Sequence, residues 1–210
     1  MKKIALFGAT GQTGGWVLKK LLAQGYSVTA LVRDASRLNV SDPRLTFIQG
    51  DVLDAQAVAK TIAGTDVVVS LFGHVKGSPE WLQTNGTKNI VAAMNSAGVR
   101  KIISLSGGGL PFEKDEPKFI DRLIRTIMKV AVPKILNDAI AHADVLRAST
   151  TNWIIVRGPR LTNDAARGAY RIGWVGVNAS TQIARPDLAD FIVTQIDDER
   201  FVGQMPFVSY

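Results

Sequence analysis

Short apolar runs alternate with longer amphipathic stretches through the first half of the chain. Ile4–Phe7 is a strand-type run, and residues 12–24 then carry Trp16, Val17, Leu18, Leu21 and Leu22 on one side of a helix that stops at Gly25. The pattern repeats. Strands are predicted at Ser27–Val32, Leu45–Gln49, Asp66–Leu71 and Lys101–Leu105. Between them, Asp54 caps a helix through about Ala63, and another helix runs from Glu80 to Ala97 and ends at Gly98. Strands of this kind, buried on both sides and separated by helices, predict an α/β fold with a doubly wound parallel sheet flanked by helices.

The second half is less regular. Pro117 starts a helix with Asp115 and Glu116 ahead of it, Pro133 breaks it, and a further helix spans Lys134–Ser149. Trp153–Arg157 reads as a sixth strand, with a loop at Gly158–Asn163. Short strands near 169–174 and 181–184, a helix from Pro186 to Ile196 and a last strand at Phe207–Ser209 complete a small C-terminal substrate region. No repeat, linker or low-complexity tract interrupts residues 1–210, so one domain is expected.

The first strand runs into Gly8-Ala9-Thr10-Gly11-Gln12-Thr13-Gly14, and a helix follows at once. That context favours a phosphate cradle. The first glycine turns the chain, the second leaves room for a pyrophosphate, and the third lets the helix lie close on the sheet. The helix N-terminus then offers N–H groups and a positive dipole end. Arg33 stands at the end of the second strand, where an adenosine ribose would lie. A guanidinium there suits a 2′-phosphate, with Arg37 closing from the other side, and so favours NADP(H); the neighbouring Asp34 keeps NAD(H) open as the alternative.

Composition narrows the chemistry further. With no cysteine and only two histidines, disulfides, thiolate catalysis and a Cys- or His-rich metal site are not expected. Met1-Lys2-Lys3 precedes an apolar run that ends at Gly8, too short for a signal peptide, and no stretch approaches the ~20 apolar residues of a membrane span. A cytoplasmic protein with no membrane partner is the expectation. The net charge of +7 suits an anionic ligand. Lys118, Arg122, Arg125 and Lys129 fall on one helix face and read first as a solvated face, then as a basic lid. No nucleic-acid motif accompanies them, so no nucleic-acid partner is expected. The oligomeric state stays open.

Beyond the glycine turn, Val32-Arg33-Asp34, Gly50-Asp51-Val52-Leu53, Asn89–Met94, Val145–Ser149, Val156-Arg157-Gly158-Pro159 and Ile183–Ala189 occur in order. Together they resemble the atypical short-chain dehydrogenase/reductases, with the greatest likeness to the flavin reductase/biliverdin-IXβ reductase group. The resemblance covers nearly the whole chain and is weakest over 107–140. It implies a Rossmann-like fold and a cofactor-binding set of Gly8, Thr10, Gly11, Gln12, Thr13, Gly14, Arg33, Arg37, Asp51, Val52, Phe72, Gly73, Ser106 and Pro159. Within it, Asp51 and Val52 take the adenine, Phe72-Gly73 pass close to the ribose and pyrophosphate, and Ser106 faces the nicotinamide.

Catalysis is less clearly written. The Tyr-x-x-x-Lys relay of the wider superfamily is missing, and its positions fall near Ile135 and Ala139. Where the resemblance implies a second serine after Ser106, Gly107 stands. Ser106 and His142 remain as candidate catalytic residues, although a structural role for His142 is the plainer reading, as it is for His74. Arg160 is a candidate for an acidic substrate. The function these features imply is NADPH-dependent hydride transfer to a small-molecule acceptor resembling a flavin, quinone or tetrapyrrole. Its rival is a non-catalytic NADP(H)-binding redox sensor.

Overall fold

The computed structural model describes residues 1–38 and 40–210. Its central sheet has eight strands in the order β3-β2-β1-β4-β5-β6-β10-β8. These are β1 Lys3–Phe7, β2 Ser27–Val32, β3 Leu45–Gln49, β4 Val67–Ser70, β5 Lys101–Gly107, β6 Asn152–Gly158, β8 Arg171–Gly173 and β10 Phe207–Ser209. All neighbours pair in parallel except β10 and β8, which are antiparallel. The strand order reverses between β1 and β4, and such a switch point is where ligands settle in open α/β sheets.

The helices cover both faces. Helix α1 (Gln12–Ala23) lies with α6 (Arg185–Thr194) on one side, while α2 (Ala55–Ile62), α3 (Leu82–Ala97) and α5 (Pro133–Arg147) cover the other. Two apolar cores result. Val17, Leu18, Leu21 and Ile192 pack on Ile4 and Leu6, whereas Val58, Ile90, Met94 and Leu146 pack on Ala5, Val68 and Ile102. The alternation of strand side chains between faces builds both.

One expectation for the second half changes. Residues Arg160–Thr162, expected in a loop, form β7, which pairs in parallel with β9 (Gln182–Ala184) as a separate two-stranded sheet. Three residues are too few to carry a periodic signal, and their pairing is decided by a partner twenty residues away. Pro133 breaks the helix as expected, and the next one begins with it. It occupies the first turn of α5, where its missing N–H costs nothing, and Val132 serves as the junction with α4 (Phe119–Ala131).

The segment between β5 and α4 is clasped to the sheet. Arg157 is fully buried and donates to both Asp115 carboxylate oxygens, at 2.8 and 2.7 Å, and to the carbonyls of Leu110 and Met205. These four bonds and the paired carboxylate offset the cost of burying its charge.

Candidate functional site

The C-terminal ends of β1, β2 and β4 open into one cleft. Its walls include Gly8, Thr10, Gly11, Arg33, Arg37, Asp51, Val52, Phe72, Gly73 and His74. Nine of the expected cofactor residues therefore share a cavity although they come from four separate stretches of chain.

The turn after β1 is built by close backbone approach. Gly8 has φ +87°, a conformation that L side chains rarely adopt, and Gly11 N–H donates to its carbonyl at 3.0 Å. A Cβ on Gly14 would lie 1.9 Å from that same oxygen, so α1 can only seat itself here with glycine. The N-cap of α1 is Gly11, with no side-chain cap and no acidic residue in the first turn. The first amides of α1 are thus left for a ligand at the positive end of the helix dipole. A Cβ on Gly11 would meet only the Gly8 oxygen at 3.2 Å, and one on Gly73 would meet nothing within 4 Å. These are the open backbone surfaces that a pyrophosphate needs.

The far end of the cleft is cationic. Arg33 and Arg37 both line it and both are exposed. Asp34 does not line it, because its carboxylate accepts from the N–H and Oγ of Ser36, at 3.0 and 2.7 Å, capping the short turn Ala35–Arg37. Those hydrogen bonds hold Asp34 below the usual carboxylate range. Asp51 accepts from Leu53 N–H at 2.9 Å within its own loop, and Asn89 Nδ2 of α3 donates to the Val52 carbonyl at 3.0 Å. Gly86 of α3 lets Phe72 and Val52 pack against the helix, since a Cβ there would stand 2.8 and 2.9 Å from them.

The remaining expected residues lie outside this cleft. Gln12 borders a second hollow on the other side of the glycine turn, with Trp16 and Arg37, and Thr13 and Gly14 are buried beneath the turn. Ser106 ends β5 with its Oγ buried and without a hydrogen-bond partner among the described residues. An orphaned hydroxyl at a strand's C-terminal end is a fit for a bound group. Pro159 is half-buried in the turn after β6. Arg160 is exposed on β7, apart from the cleft.

His142 is placed differently from a catalytic group. It is 2% exposed within α5, and its Nε2 shares a 2.9 Å hydrogen bond with Ser104 Oγ. Burial pushes its pKa down to about 4, against a smaller opposing pull from the Ala139 carbonyl and Asp138. The ring is enclosed and does not line the cleft, a placement that suits a structural group rather than a proton donor. Tyr170 is likewise committed elsewhere. Its hydroxyl donates to Asp190 at 3.2 Å, and burial raises its pKa to about 12.

The other histidine is the one that meets the cleft. His74 Nε2 lies 2.6 Å from Asp138 Oδ2, and Asp138 is completely buried. Asp138 also accepts from Gln83 N–H, Thr84 N–H and Thr84 Oγ1, at 2.8, 2.9 and 2.5 Å. One carboxylate on α5 therefore caps α3 and orients His74. Burial alone would raise its pKa, but the hydrogen bonds outweigh that and hold it below the ordinary 3.8. An ionised Asp138 takes a hydrogen bond from Nε2 and so fixes the orientation of the ring. His74 sits two positions beyond Phe72, a sequence signal that would have placed it at the same strand end.

Comparison with known proteins follows the same line. A family model described as NAD(P)H-binding matches residues 8–199. Cinnamoyl-CoA reductase 1 of rice is 31% identical over 116 residues, which cover 50% of this chain and 34% of that protein. The chain thus spans about a third of that relative's length. The uncharacterised protein YwnB of Bacillus subtilis is 27% identical over 202 residues, covering 93% of this chain and 91% of its own. Among solved structures, a short-chain dehydrogenase/reductase from Veillonella parvula in complex with NADP superposes with a TM-score of 0.78 at 20% identity, covering 100% and 94% of the two chains. The anaerobillin reductase ChuY of Escherichia coli O157:H7 does so with a TM-score of 0.78 at 18% identity, covering 99% and 96%. At such identities these likenesses establish the shared fold. No described helix is long and apolar enough to cross a membrane.

Proposed function

The chain belongs to the NAD(P)H-binding family, and on that premise we propose that it is a cytoplasmic NADPH-dependent reductase of the atypical short-chain dehydrogenase/reductase type. Its acceptor is a flat, conjugated small molecule of the flavin, quinone or tetrapyrrole class. The observation that carries the NADPH preference is the pairing of Arg33 and Arg37 in the cleft while Asp34 is spent on its own turn. The anaerobillin reductase and NADP-bound relatives of the same fold support the reading.

Each part of the chain has a separable task. The amides at the start of α1 and the bare backbone of Gly11 and Gly73 receive the pyrophosphate. Arg33 and Arg37 neutralise the 2′-phosphate, and Asp51 and Val52 bracket the adenine. His74, after β4, lines the same cleft with its ring held by Asp138, placing an imidazole beside the ribose. Ser106, at the end of the adjacent strand, supplies the polar contact at the nicotinamide end. When bound, the nicotinamide supplies the hydride. Ile135 and Ala139 stand where the tyrosine–lysine relay would, so water provides the proton that a reduced flavin or quinone takes up.

Steady-state oxidation of NADPH tests this reading. Turnover is expected with free flavins and quinones, and none with simple ketones or sugar nucleotides. Tyr170→Phe should leave the rate nearly unchanged. Ser106→Ala should lower it by no more than about tenfold, the worth of one neutral hydrogen bond. Binding of NADPH without turnover on any of these acceptors would favour the redox-sensor reading instead.

A further inference from the structure

Helix α4 contributes no buried side chain. Phe119, Ile120, Leu123, Ile124, Ile127 and Val130 share one face at helical spacing, and they are 44% to 83% exposed. The side turned towards the body instead carries Asp121, Arg125 and Met128, all half-buried, with Met128 against the backbone of Gly109. The usual orientation of an amphipathic helix is therefore inverted.

The helix is also held in this orientation. Its approach is fixed by the buried Arg157–Asp115 pair, by Glu116 N–H on the Val175 carbonyl at 2.9 Å, and by Lys118 N–H on the Asp121 carboxylate at 2.9 Å. Its other end runs through Val132 into α5. There Lys134 Nζ meets the Glu80 carboxylate at 3.2 Å, which ties the residue before the exposed Trp81 to the first turn of α5, where Val132 and Ile135 are exposed as well. An exposed indole beside such a strip suits a boundary between water and hydrocarbon.

Charge decides among occupants. Lys118, Arg122 and Lys129 are exposed along one edge of the strip, while Arg125 faces the body; Asp121 is the one acidic residue on the helix and is engaged in its N-terminal cap, and Glu113 and Glu116 precede it. The chain as a whole carries +7. A second copy docking through the same face would set two basic rims against each other. An anionic lipid surface satisfies both halves of the helix: acyl chains for the apolar face and headgroups for the basic residues.

We propose that α4, extended by Trp81, seats this protein peripherally on an anionic bilayer. This replaces the expectation, drawn from the sequence, of no membrane partner. The sequence reading took the basic face as the solvated one; the structure exposes the apolar face beside it.

The test is co-sedimentation of the full chain with vesicles of phosphatidylcholine alone, and of phosphatidylcholine and phosphatidylglycerol in equal parts. Binding is expected to the anionic vesicles, weakening as salt rises, with a blue shift in tryptophan fluorescence that Trp81→Phe removes. The double variant Leu123→Glu/Ile127→Glu should bind about tenfold more weakly or worse. Both positions are exposed, so its melting temperature should match the parent's. Arg122→Glu/Lys129→Glu provides a second, independent loss by charge alone. The proposal is overturned if the parent ignores anionic vesicles or if neither double variant weakens binding. Self-association in the ultracentrifuge that Leu123→Glu/Ile127→Glu abolishes, with no vesicle binding, would overturn it in favour of a second copy of the chain.

Discussion

Gly14→Ala should cost about 3 kcal/mol of stability, at the upper end of what overpacking imposes. The added methyl would stand 1.9 Å from the Gly8 oxygen, 2.8 Å from the Gly8 carbonyl carbon and 3.1 Å from Ala9 Cα. All three are backbone atoms of a turn that is itself held by Gly8 at positive φ, so no side chain can swing aside. For a chain of this size, that loss lowers the melting temperature by about 6–12 °C. Gly11→Val is the paired experiment. Its Cβ meets only one oxygen, at 3.2 Å, and the rest of the side chain projects into the cleft. It should melt close to the parent and fail to bind NADPH. A Gly14→Ala protein as stable as the parent would contradict the described seating of α1. A folded Gly11→Val protein that binds normally would move the cofactor elsewhere.

Acid should weaken the fold in a window set by His142. The unfolded chain takes up a proton near the ordinary 6.5, whereas the buried ring resists until about 4. The neutral ring's contribution is therefore whole above pH 6.5 and is lost as pH falls from 6.5 towards 4, because only the unfolded state gains a proton in that interval. The difference is worth about 3 kcal/mol, from roughly 1.4 kcal/mol per pH unit. His142→Gln removes the titration. Denaturant melts at pH 7 and pH 4 should show the destabilisation of this variant shrinking by that amount as the pH drops. Parallel profiles would mean that the ring is not kept neutral by burial. Asp138 does not confuse the window. Its depressed pKa makes its contribution fall away below 3.8.

What could be read from the chain follows the range of the interactions concerned. The glycine turn, Arg33 at a strand end and Asp51 after the third strand are local features, and the sheet then brings them to one cleft. The His74–Asp138 pair spans 64 positions and was invisible until α5 packed on α3. His142 carried a weaker signal: it stands four residues from both Asp138 and Leu146, on the stripe of α5 that is buried. The short pairing of β7 with β9 and the outward apolar face of α4 depend on tertiary placement, for which periodicity holds no record.

Calorimetric titration of the parent and of Arg33→Ala with NADPH and NADH tests the cofactor reading most directly. The parent should bind NADPH more tightly than NADH. Arg33→Ala should weaken NADPH by about tenfold to a hundredfold, the worth of a charged hydrogen bond of about 1.5–3 kcal/mol, and leave NADH nearly unchanged. Equal losses for the two cofactors would contradict the account, because only one of them carries the 2′-phosphate that Arg33 is said to read.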